Sequence, residues 1–188
     1  MYYLIETQEQ LERFFEGEGD ECYLQFVTNN DETHPKLQSI CALYLYSFSR
    51  EKGFMINIDH PEGFELELPL NYLQSYTNIF VKEKTKALLY IPTLPYTDIQ
   101  SIYYLLKNEP LSALPKTGTH TFYERKFGAS NVNKIIPLAK HYEAMTNEFE
   151  AIYPYIRSYK SEESNKWYNE IFIPTLAKMV GEGFKIND

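Results

Sequence analysis

Three groups of residues in this chain have the types and spacing to do chemistry. The first is a basic, aromatic stretch from Lys116 to Lys140, where five bases (Lys116, Arg125, Lys126, Lys134 and Lys140) meet one acid, Glu124. His120 lies inside it and His141 just beyond, and Phe122, Tyr123 and Phe127 interleave with the cations. Such a pattern suits a single nucleic-acid strand, whose bases stack on rings while cations track the phosphates. A solvated loop would carry the same residues. The second group is Asp59-His60-Pro61-Glu62, whose side chains can ligate metals. Asp59 and His60 are neighbours at an expected strand end, so they point to opposite faces. None of the four histidines (His34, His60, His120, His141) stands in a helical zinc-pair spacing. The third group is Cys22 and Cys41, which fall on expected strands and read as core residues. Two cysteines make neither a disulfide scaffold nor a Cys-rich zinc site. No phosphate-binding Gly-rich loop ending in Lys-Ser/Thr and no Gly-x-Ser-x-Gly elbow occurs.

These residues sit on a chain of 188 residues, suited to one domain or one domain with a helical appendage. Hydrophobic residues make up 44% and charged residues 23%, the balance of a globular protein. The net charge of −8 argues against a free-standing, non-specific nucleic-acid binder, whose affinity comes from neutralising phosphates. Acids concentrate between Glu6 and Glu32, nine of them against Arg13 alone. No apolar run has the length of a membrane span, and MYYLIETQEQ has neither the basic nor the apolar region of a signal peptide. The expected compartment is the reducing cytosol, with no membrane partner.

The elements that must position these groups follow from local pattern. A short strand at 2–5 precedes a helix at about 7–16, opened by the capping box Thr7-Gln8-Glu9-Gln10 and ended by Gly17 and Gly19. Cys22 to Val27 and Leu37 to Phe48 are strands, and Lys52-Gly53 is a turn into a third strand, Phe54 to Ile58. Pro69 opens a helix carrying Leu70 and Leu73. Asn78 to Val81 is a fourth strand, and Lys84 to Tyr90 forms a helical turn. Asp98 caps a helix with Ile99, Ile102, Tyr103 and Leu106 on one face. Residues 108–133 form a long irregular connection. Leu138, Tyr142, Met145, Phe149, Ile152, Ile156 and Tyr159 step at helical spacing, with a kink expected at Pro154. A second helix, from about Ser161 to Gly181, turns Trp167, Ile171 and Val180 inward and bends at Pro174. This order fits an α/β, ribonuclease H-like mixed sheet flanked by helices, with a helical C-terminal extension.

Several segments together resemble the 3′–5′ proofreading-exonuclease domain of family A DNA polymerases, the class of bacterial DNA polymerase I and many phage replicases. Tyr23 to Phe48 is similar to that family's first two strands, with Thr28 where a Thr often follows the Asp-x-Glu pair. Gly53 to His60 resembles its third strand, Lys82 to Leu89 its second acidic motif, and Thr97 to Ser101 its Asp-Thr helix start. Trp167 to Asp188 resembles the helix with a central Pro, then Gly-x-x-hydrophobic-Asp/Asn, that joins exonuclease to polymerase. The resemblance implies an exonuclease-like domain over residues 1–160 and a linker helix over 161–188 leading towards a polymerase domain.

The departures bear on activity. The family's Asp-x-Glu pair aligns with Gln25 and Val27, its second-motif Asp with Leu88 (Lys86 standing two residues before), and its Tyr-x-x-x-Asp with Tyr142 to Thr146. Shifted by a residue or two, Glu143 or Glu148 would enter instead. Neutral Gln25, Val27, Leu88 and Thr146 could not balance two divalent cations, so two-metal catalysis is expected to be lost. The expectation is therefore a catalytically silent domain of a phage-type DNA polymerase, with no cofactor of its own. It would brace the polymerase domain and guide single-stranded or primer–template DNA in the host cytoplasm. The parent polymerase would use Mg²⁺. Two alternatives stand beside it. One is an active nuclease with a rearranged site built from Asp59, Glu62, Asp98, Glu143 or Glu148, and the other is a protein-interaction module of the same fold.

Overall fold

The computed structural model describes residues 2–29, 34, 38–108, 126, 132–157 and 166–182. Strand β1 (Leu4–Ile5) leads into helix α1 (Gln8–Phe15), whose N-cap Thr7 accepts from the Gln10 amide. The Gln10 side chain returns to the Glu6 N–H, one residue earlier than an ideal capping box. Gly17 ends the helix at φ 71°, a conformation open to glycine.

Strands β2 (Glu21–Thr28), β3 (Ile40–Ser47) and β4 (Lys52–Asn57) fall on the three expected strands and form an antiparallel meander. The turn falls at residues 48–51, before the expected Lys52-Gly53, and Gly53 lies inside β4. A Cβ at Gly53 would come within 2.8 Å of the Tyr44 ring, so the strand needs glycine for cross-strand clearance rather than for turning.

Helix α2 (Leu70–Leu73), strand β5 (Asn78–Val81), helix α3 (Lys84–Tyr90), strand β6 (Tyr96–Asp98) and helix α4 (Ile99–Lys107) follow. Strand β6 has no periodic signal of its own. It exists because it pairs parallel to β5. Helix α5 (Val132–Ile135), helix α6 (Leu138–Arg157), a π-turn (Tyr168–Phe172) and helix α7 (Ile173–Glu182) complete the described chain. Pro154 lies within α6.

The six strands make one mixed sheet in the order β1-β4-β3-β2-β5-β6. Alternation along β2 sends Leu24 to one face and Tyr23 and Val27 to the other. The first face packs on Leu11, Phe14, Leu73 and Ala87 from α1, α2 and α3. The second packs on Ile99, Ile102, Leu138, Phe149 and Ile152 from α4 and α6. Cys22 and Cys41 are fully buried, one in each layer. Burial pushes the Cys22 thiol up, away from its reactive thiolate form.

Two expected faces differ. Leu106 is exposed on α4. On the C-terminal helix Trp167, Ile171 and Val180 are 48%, 57% and 40% exposed, while Asn169, Ile173 and Ala177 face inward. The π-turn explains the second difference. The Ile173 N–H bonds to Tyr168 O, five residues back, and the extra residue rotates the helix face away from a constant 3.6-residue phase.

Candidate functional site

The chain builds the sheet outward from β2 through β3 and β4, then crosses over to lay β5 and β6 on the other side. In open α/β sheets such a reversal leaves a crevice at the carboxyl ends of the strands where it occurs. Here the crevice is a cavity of about 300 Å³ beside Leu24, Gln25 and Phe26 of β2 and Val81 of β5. Lys82, Glu83, Lys86 and Tyr90, just after β5 and in α3, form one wall, and Met145 and Glu148 of α6 the other. Phe26 and Tyr90 lie ring against ring, 5.2 Å apart.

At its centre stand three side chains from three elements. Lys82 Nζ is ion-paired with Glu148 Oε1, and Gln25 Nε2 donates to Glu148 Oε2 at 2.8 Å. Gln25 Oε1 is buried. Beneath them Tyr23 is wholly buried, and burial with the Glu148 charge pushes its phenol up. At the rim Lys86 pairs with Glu83 at 2.8 Å.

Of the four positions aligned with catalytic acids, Gln25, Val27 and Thr146 lie on the α6 side of the sheet, with Gln25 opposite Tyr44 of β3, and Leu88 lies apart from them. Gln25 reaches the crevice. Val27 is buried in the α6-side core, and Leu88 packs on the opposite layer. The Thr146 hydroxyl donates to the Tyr44 hydroxyl at 3.2 Å. Glu148, two residues further along α6, is the carboxylate that reaches Gln25.

The acids of the rearranged-site alternative are held apart by separate donors. Asp59 pairs with Lys134 at 2.6 Å, and Glu143 with Lys140 at 2.7 Å. Glu62 accepts from the Leu138 N–H at the start of α6, and Asp98 accepts from the N–H groups of Lys84 and Ser101. Among the described residues no three His, Cys, Asp or Glu side chains gather as a metal site. The crevice itself offers divalent ions a poor fit, since its one central carboxylate has both oxygens held by nitrogen donors.

Of the expected nucleic-acid contacts, Lys116, His120, Tyr123 and Arg125 lie outside the described residues. Lys126 is exposed. Lys134 and Lys140 are engaged by Asp59 and Glu143. His141 is buried, and its Nε2 donates to Asn133 O at 2.8 Å, so it supports the α5–α6 junction instead of offering a surface contact. His60 does similar work. It donates from Nε2 to Ile136 O and accepts the Glu62 N–H at Nδ1, which keeps the ring neutral, and burial lowers its pKa.

No protein-family model and no curated protein matches the sequence. Among solved structures the chain is similar to Trypanosoma brucei RNase D in complex with RNA U12, with a TM-score of 0.60 at 14% identity, covering 100% of this chain and 72% of that one. A nuclease in its apo form gives 0.56 at 15% identity, covering 100% and 96%. Brucella melitensis NrnC bound to pGG gives 0.51 at 12% identity, covering 90% and 88%. The fold is thus a ribonuclease H-like mixed sheet flanked by helices, as in these solved structures. No helix among the described residues is long and apolar enough to cross a membrane.

Proposed function

We propose that this chain is an exonuclease-fold domain that binds single-stranded nucleic acid and does not cleave it by two-metal chemistry. The observation that carries this reading is the crevice itself, where Gln25 and Lys82 occupy both oxygens of Glu148. Two-metal hydrolysis needs several carboxylates converging on hard cations to generate hydroxide and stabilise the leaving oxygen. Gln25, Val27, Leu88 and Thr146 supply none. What the crevice does offer is two rings, Phe26 and Tyr90, beside the ion-paired Lys82 and Lys86, and a strand can be held by stacking on the rings and by exchange of its phosphates into those lysine pairs.

RNA is as suitable a ligand as DNA, because the solved structures that share the fold include an RNase D holding an RNA. Attachment to a family A polymerase rests on the sequence resemblance alone, whose most specific piece is residues 167–188. Fluorescence anisotropy with labelled single-stranded RNA and DNA, run beside a gel assay with Mg²⁺ or Mn²⁺, tests the reading. Binding without trimming of the 3′ end is expected. Metal-dependent trimming that disappears in Glu148→Gln would overturn it.

A further inference from the structure

We propose that the Lys82 ammonium is a built-in cation, filling the place at the crevice mouth that a divalent ion would otherwise take between β2 and α6. Lys82 is the first residue after β5, so the carboxyl end of a central parallel strand delivers its stem to the crevice. Its nitrogen meets Glu148 Oε1, while the Gln25 amide meets Oε2. A hard cation would draw oxygens towards it. Here the carboxylate is instead enclosed by N–H donors, and the Gln25 amide presents its nitrogen to Glu148 while its Oε1 is buried on the side of the Tyr23 phenol.

Charge balance leads to the same conclusion. The charged residues lining the cavity are Lys82, Lys86, Glu83 and Glu148, which sum to zero. A divalent ion would therefore enter an already neutral crevice and add two uncompensated charges. Space is not what excludes it, because about 300 Å³ accommodates an ion with several waters. The ammonium is tethered, so it cannot be chelated away, and it cannot polarise a water as a metal does. A site that carries its own cation in this way remains organised in the presence of a chelator.

The test uses Mn²⁺ as probe and electron paramagnetic resonance as readout, with no nucleic acid present, so its outcome is separate from that of the binding reading. The wild-type protein and Gln25→Asp should both leave Mn²⁺ free. Gln25→Asp combined with Lys82→Met should immobilise Mn²⁺ about tenfold or more tightly than Gln25→Asp alone. Equal uptake by Gln25→Asp with and without Lys82 would overturn the proposal. So would the absence of uptake in a double variant whose thermal unfolding shows it folded. An independent measurement on the unmodified chain covers a double variant that does not fold. The ¹⁵N signal of the Lys82 ammonium should be protected from exchange and lose that protection in Glu148→Gln. Exchange as fast as that of an exposed lysine in the wild type would count against the tethered cation.

Discussion

Lys82 and Lys84 are two residues apart, flank the same turn and carry the same charge, yet they are held in different ways. Lys82 reaches a half-exposed carboxylate across the crevice, its side chain 37% exposed and that of Glu148 27%. Lys84 is buried, and its ammonium donates to a backbone carbonyl, Asn169 O, at 2.6 Å. That carbonyl needs an outside donor for a reason written in the sequence. Ile173 N–H has gone to Tyr168 O in the π-turn, and the next residue, Pro174, has no N–H to give. Lys84 supplies the missing donor. The Asn169 side chain reciprocates by accepting the Asp98 N–H at 2.7 Å, and Asp98 accepts the N–H groups that open α3 and α4. One lysine therefore fastens the C-terminal helix to the sheet, while the other occupies a site. Identical chemistry two residues apart is divided by burial and by what each side chain must satisfy.

The comparison can be broken first at Lys84. Lys84→Met should destabilise the protein by about 2–3 kcal/mol in urea unfolding, because Asn169 O loses its buried charged donor. A loss no larger than that of a surface lysine would show that the carbonyl finds another partner. Next comes pH. Burial raises the Asp98 carboxyl from 3.8 to about 6, so between those values the folded state holds a proton that the unfolded chain has released. The contribution from this group is complete below pH 3.8 and is lost as pH rises through about 6. Urea midpoints of the wild type and Asp98→Asn, compared across that window, should diverge in slope, by about 3 kcal/mol over its full width.

A smaller effect sharpens the assignment of Pro174. Pro174→Ala restores an N–H that can serve Asn169 O, so Lys84→Met should cost about 1 kcal/mol less in that background than alone. A double-mutant cycle with no coupling would detach the lysine from the proline. Smallest of all is Lys82→Met. Its partly exposed ion pair should contribute less than about 1 kcal/mol to stability, so a cost as large as that of Lys84→Met would erase the distinction between the two.

Much of the scaffold was legible locally. Thr7 and Asp98 are short polar residues ahead of apolar periodicity, and both cap helices. The apolar runs of β2, β3 and β4, bounded by turn residues, were sufficient to predict three strands there. The site was less legible. Gln25 could be identified as a position that carries no acid, but Lys82 and Glu148 are 66 residues apart and no spacing rule joins them. The helix face at Trp167, Ile171 and Val180 was misjudged because helical phase was carried through a π-turn that no local residue announces.

The sequence by itself determined where α1 and α4 start, where β2, β3 and β4 run, and that Gln25 and Val27 bring no carboxylates to the central strand. These are short-range properties, decided by capping, side-chain period and residue type. Only the tertiary structure decided that Glu148 and not Thr146 faces Gln25, that Lys82 arrives beside them, and that Lys84 is buried under the C-terminal helix. Those pairings depend on strand order and on the rotation of α6 and α7 about their axes. Burial of both sheet faces sets that geometry over distances that local periodicity does not reach.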